Sequence, residues 1–181
     1  MITRVRRPPL RSARGMTMIE LVVVLFILAT LFVLATAAVS RARLAANEAN
    51  AIGALRTVTK AEFAYAADCG SGNYATSLVV LGQKPPHAVQ GYLNVDLGGH
   101  PTAQTSGYYV TVRSGAAATL SPRDDCMGNQ TVSGYYAIAT PIEFEKTGRR
   151  SFATNQGDAI WQRFAQVPPS EPFGPPAEIV H

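Results

Sequence analysis

Residues 15–39 read Gly15-Met16-Thr17-Met18-Ile19-Glu20, then LVVVLFILATLFVLATAAV over Leu21–Val39. The second part is 19 residues without a charge, a glycine or a proline. Nothing in it breaks a helix. At about 1.5 Å per residue, a helix of that length nearly spans a hydrocarbon core of about 30 Å. A secretory signal peptide would have a shorter apolar run and a small-residue cleavage site followed by polar sequence, and neither is present. What is left is a single-span anchor or a helix that packs with other apolar helices.

Working outward toward the N-terminus, the charge is uneven. Arg4, Arg6, Arg7, Arg11 and Arg14 all precede Gly15, with no acid among them. Without these five arginines the 16 basic residues of the chain fall to 11, against 12 acidic ones. The formal charge of +4 therefore belongs to residues 1–15. The remainder offers no electrostatic footprint for nucleic acid. A basic, acid-free end before an apolar run predicts a chain that crosses a membrane once, with the basic end cytoplasmic and the rest on the other side.

Glu20 is the discriminating residue. It stands at the very edge of the apolar run, where an ordinary anchor has no need of an acid. A buried, unpaired carboxylate there would be costly, so the position calls either for a partner or for the lipid headgroup layer.

The stretch R-G-M-T-M-I-E-L-V-V-V-L resembles the leader junction of the type IV pilin and pseudopilin superfamily. The resemblance implies cleavage after Gly15 by a prepilin peptidase and N-methylation of Met16. It gives Glu20 a role in assembly, meeting the positive N-terminus of a neighbouring subunit. An ammonium and a carboxylate inside an apolar filament stabilise one another, and either alone would be costly. The implied partners are other copies of the chain, the peptidase, an inner-membrane assembly platform and, before assembly, membrane lipid. The implied end state is an extracellular pilus. In two respects the chain departs from the family pattern. Methionine stands where the first mature residue is often phenylalanine. No glycine follows Gly15 until Gly53, and no proline follows Pro9 until Pro85. The stem is therefore expected to be a long uninterrupted helix.

Beyond Ser40 the chain turns polar but stays rich in alanine. At 100° per residue, Leu44, Ile52, Leu55, Val58, Phe63 and Tyr65 fall within an arc of roughly 160°. Glu48 and Glu62 fall inside the same arc. One helix is predicted from about Met16 to about Ala67, ended by the turn cluster Asp68-Cys69-Gly70-Ser71-Gly72-Asn73. A short helix at Thr76–Leu81, capped by Thr76 or Ser77, follows. Residues 82–106 read as a long connecting loop. Strands are expected at 107–113, 116–120, 133–140, 150–154 and 159–163, antiparallel by their short connections. Asn155–Asp158 is a hairpin turn. Tyr108-Tyr109 and Tyr135-Tyr136 should each send one ring to either face of the sheet. After Phe164 the prolines at 168, 169, 172, 175 and 176 predict a mobile tail.

The fold class expected is α+β, a type IV pilin fold with a long N-terminal helix on a small antiparallel sheet. The organisation is a basic leader (1–15), an apolar stem (16–40), an amphipathic continuation (41–67), a head (68–164) and a proline-rich tail (165–181). Cys69 and Cys126 form a disulfide if the head is outside the cytoplasm, and otherwise are two buried thiols. His87, His100 and His181 belong to no HExxH, and neither GxSxG nor a phosphate-cradling loop occurs. No catalysis, cofactor or metal is expected. Asp124-Asp125 is either a turn or a weak calcium ligand pair. Three functions are consistent with the sequence: a pilus subunit, a pseudopilin of a type II secretion system, or an anchored periplasmic binding module that does not polymerise.

Overall fold

The computed structural model describes residues 15–180, except for the side chains of residues 33–37. The leader up to Arg14 and His181 lie outside the described residues. The chain divides into two compact units, Met1–Ser40 and Arg41–His181. Helix α1 (Met18–Asp68) is 51 residues long and belongs to both.

In the first unit, α1 starts where the sequence supplies a capping box. Glu20 N donates to Thr17 Oγ1 at 3.3 Å, and Thr17 N donates to Glu20 Oε2 at 3.4 Å. Two amide groups at the helix start, which have no partner within the helix, are thereby met reciprocally. The large apolar side chains that follow, Leu21–Leu28 with Leu31 and Phe32, are all exposed.

The expected single-pass inner-membrane placement is corrected here. Among the described residues, no helix is long and apolar enough to cross a membrane. A helix crosses a hydrocarbon core of about 30 Å only with about 20 consecutive, predominantly apolar residues.

The second unit is α+β, a helix packed on an antiparallel sheet. Along α1, Glu48, Ala51, Leu55, Val58, Glu62 and Tyr65 are buried at helical spacing. Phe63, expected within the buried arc, is 40 % exposed. The helix ends on the predicted cluster: Cys69 N and Gly70 N both donate to Tyr65 O, and Gly72 turns the chain at φ +87°. Gly70 admits no side chain, because a Cβ there would lie 2.2 Å from Asn73 O.

Two short helices follow, α2 (Leu78–Gly82) and α3 (Val95–Gly98). Ser77 caps the first and Asn94 the second. The segment expected to be one long loop thus holds α3 and the first strand, β1 (Thr102–Thr105). Residues 82–98 hold together because Gly82 and Gly98 touch backbone to backbone. A Cβ on Gly98 would come within 2.6 Å of the Gly82 Cα. A glycine pair of that kind reads in sequence as loop.

The main sheet has the order β1-β2-β5-β6-β7-β8, all antiparallel. Its strands are β2 (Tyr108–Ser114), β5 (Tyr135–Pro141), β6 (Ser151–Asn155), β7 (Trp161–Arg163) and β8 (Glu178–Ile179). A separate ribbon pairs β3 (Leu120–Asp124) with β4 (Gln130–Val132). The expected strand at 116–120 lies mostly before β3, because Ala116–Ala118 turn between β2 and the ribbon. β4 and β8 are too short to carry an alternating pattern. The Asn155–Asp158 hairpin forms as predicted: Gly157 N donates to Asn155 Oδ1 and Asp158 N to Asn155 O.

Register sets the two faces. Val110 pairs with Ala139, Val112 with Ala137, and these with Phe152 and Thr154. Since side chains alternate, these four pairs share the face that meets α1. Tyr135 Oη donates to Thr59 Oγ1 of α1 on that face. Each fully buried Leu or Phe there contributes about 1.5–3 kcal/mol.

The opposite face is covered by the segment expected to be a mobile tail. Phe173 stacks on Trp161 at 5.4 Å between ring centroids and lies against Tyr136. Tyr136 Oη donates to Pro169 O. Ser151 Oγ bonds the carbonyls of Ala165 and Gln166. Glu171 accepts from Asn155 Nδ2 at 2.6 Å and from Ala116 N at 2.7 Å. Proline excludes helix and central strand, but it does not exclude an extended strap held by its carbonyls. The strap buries Tyr136, so the ring that this pair sends to the outer face is only 3 % exposed. Tyr109, on the same face of β2, is 40 % exposed.

Candidate functional site

Each predicted site residue has a definite place. Gly15 and Met16 precede α1 and are exposed. Glu20 lies in the first turn of α1, held by Thr17. Its carboxylate is therefore aimed at the helix start, where the amide groups favour negative charge. A Thr followed three residues later by Glu is a sequence signature of a helix start.

Cys69 and Cys126 are joined in a disulfide across a sequence separation of 57. It ties the end of α1 to the turn between β3 and β4. Cys126 N also donates to Cys69 O. The bond lies beside a polar cluster that sequence reading missed. Tyr65 Oη donates to Asp125 Oδ2 at 2.8 Å. Asp125 further accepts from Met127 N, Asn129 N and Asn129 Nδ2. Burial pushes the Asp125 carboxyl up, but these hydrogen bonds outweigh it and hold it below its ordinary value. Burial and the bond to Asp125 push the Tyr65 phenol well up, so it stays a donor. Asp125 thus organises a turn. Asp124 is exposed at the end of β3. Among the described residues no group of three or more His, Cys, Asp or Glu side chains is placed to hold a metal ion.

Two acids inside the helical arc are structural partners of the head. Glu48 accepts from Arg149 N at 2.9 Å and from Arg150 Nε at 2.8 Å. Arg150 also reaches Gln162 Oε1 and lies over the rings of Phe152 and Phe164. Glu62 is fully buried and accepts from Ala75 N at 2.9 Å. Its other oxygen has no hydrogen-bond partner among the described residues.

The two described histidines are apart from one another. His87 lines a pocket with Asp68, Tyr92 and Cys126. His100 lines an open cleft of about 1130 Å³ between α1 and the α3–β1 segment. That cleft presents Asn50, Gly53 and Thr57 on one side and Asn94, Asp96 and Gln104 on the other.

Comparison with known proteins returns no match to a family model, to a curated protein or to a solved structure.

Proposed function

We propose that this chain is a structural subunit of a type IV pilus-like filament, with a type IV pilin fold, that polymerises through the apolar start of α1. The observation that carries the reading is the surface of that segment. From Met16 to Phe32 the large hydrophobic side chains are exposed, and Glu20 is the only charged residue among them. Contiguous apolar surface on this scale marks an interaction site. A second copy of the same segment supplies a matching surface, and copies related head-to-tail make an open helical polymer. The Gly15-Met16 junction supplies the place for processing. A freed amino group at Met16 is the cation that Glu20 of a neighbouring copy would meet. In this reading the head is a packed module with no chemistry of its own.

The first test is mass spectrometry of the N-terminal peptide in isolated filaments. The expected species begins at N-methyl-Met16. Filaments whose subunits still carry residues 1–15 would overturn the reading. The second test is Glu20→Ala, read by filament yield at constant subunit level. We expect at least a tenfold loss, with the head still folded. Normal assembly by this variant would remove the pairing of Glu20 with a neighbour's amino group. Glu20→Gln keeps the helix-start hydrogen bonds of the side chain. It separates loss of charge from loss of the cap.

A further inference from the structure

The fully buried carboxyl of Glu62 has no role in the reading above. One of its oxygens takes the Ala75 amide and the other has no hydrogen-bond partner among the described residues. Ala75 is itself fully buried, and it belongs to the stretch that leaves α1 after the disulfide. That stretch is held at three points. Asn73 N donates to Gly70 O, Tyr74 exchanges both backbone hydrogen bonds with Val132, and Ala75 N donates to Glu62. Among the described residues, Glu62 is thus the only side chain of α1 that bonds a backbone amide of residues 73–76.

We infer that Glu62 is a proton-operated latch: as a neutral acid it keeps residues 73–76 docked on α1, and on ionising it releases them.

The physical case begins with the partners. A carboxylate with a single amide donor and an unpartnered oxygen is poorly compensated inside a protein. A neutral acid leaves at most one hydroxyl unmet, which costs far less than an unpaired charge. Among the described residues no cation is bonded to Glu62. Among the described residues the two ion pairs are Lys146–Glu143 and Arg150–Glu48. The titratable groups facing it are Tyr65 on its own helix and Tyr135 from β5, both of which feel its charge. Behind these stand Asp125 and Tyr92 beside Tyr65, and Tyr74 and Asp158 beside Tyr135. The charges in this set are negative, and the tyrosines are neutral. Nothing here favours the ionised acid except the Ala75 amide. Burial raises the Glu62 carboxyl from 4.5 to about 8, the amide opposing it.

The sign follows from linkage. The docked state holds a proton that the solvated, released state gives up above about pH 4.5. Docking is therefore favoured in full below that value and is lost as pH rises toward about 8. Within the window, one proton released per opening means a roughly tenfold larger opening constant per pH unit. Above about 8 both states are ionised and the dependence levels off. The disulfide at Cys69 and the cap of α2 at Ser77 keep the two ends of the segment in place, so release is local.

The test is amide hydrogen exchange on the full-length chain, kept monomeric in a non-ionic detergent, from pH 5.5 to 8.5. After correction for intrinsic exchange, protection of Tyr74 and Ala75 should fall about tenfold per pH unit up to about pH 8. Core amides of β5 and β6 should not follow. Glu62→Gln keeps an acceptor for Ala75 N and removes the proton, and its profile should be flat. A flat wild-type profile, or the same slope in Glu62→Gln, overturns the latch. So does a fall shared equally by β5 and β6, which would be global unfolding. If Glu62→Gln does not fold, the carboxyl carbon of Glu62 is followed by NMR in the wild type. A midpoint in the ordinary carboxylate range rejects the proposal, and one several pH units higher supports it.

Discussion

Arg150 holds a buried acid from the far side of the fold. Glu48 is 7 % exposed and takes both the side chain of Arg150 and the amide of Arg149. Replacing Arg150 by Met keeps its contact with the Phe152 and Phe164 rings but strands the Glu48 charge. A loss of about 3 kcal/mol is expected, the range seen when one partner of a buried pair is removed. Glu48→Gln should cost less, because a neutral amide still accepts from Arg149 N. The double variant should then be markedly more stable than the sum of the two predicts. Urea titrations of the four proteins measure this, and additivity would reject the pairing. Glu48 and Glu62 already stand out in sequence as acids in an otherwise apolar arc. Their partners do not, because Arg150 is 102 positions from Glu48 and Ala75 is bonded only through a turn.

At the scale of elements, the segment from Phe164 onward is the clearest departure from sequence expectation. Five prolines keep helix and central strand out of the stretch before β8, which bonds instead through its own carbonyls and one acid until β8 joins the sheet edge. Its anchoring ring is Phe173 on Trp161. Phe173→Ala should cost about 1–2 kcal/mol, as for a partly buried aromatic pair. The chain has one tryptophan, so its emission reports this contact directly. We expect a red shift in Phe173→Ala and a larger one on truncation after Phe164. An unchanged spectrum in the truncated chain would mean that the strap does not cover the sheet. The same segment explains Tyr136: strand alternation placed it outward, and the strap then buried it.

For the whole head, Cys69–Cys126 closes the longest covalent constraint. A loop of 57 residues corresponds to about 4 kcal/mol in the chain-entropy picture. The double substitution Cys69→Ser and Cys126→Ser should lower stability by roughly that amount in denaturant titrations. The loss should appear first in the ribbon of β3 and β4, which has few other ties to the end of α1. A change below about 1 kcal/mol would mean that the Tyr65–Asp125 cluster alone holds the junction.

What the sequence by itself determined is local. The helix start at Thr17 and Glu20, the stop at Asp68–Asn73, the longer strands and the Asn155 hairpin follow from propensity, caps and turn chemistry within a few residues of each site. What only the tertiary structure decided is long-range. The glycine contact that folds residues 82–98, the strap on the outer sheet face, and the partners of Glu48, Glu62 and Asp125 join positions whose spacing carries no period. Local preferences act through neighbours along the chain and so leave a pattern in it. Packing and hydrogen bonding between distant segments require only that complementary groups meet, and that condition is written in space.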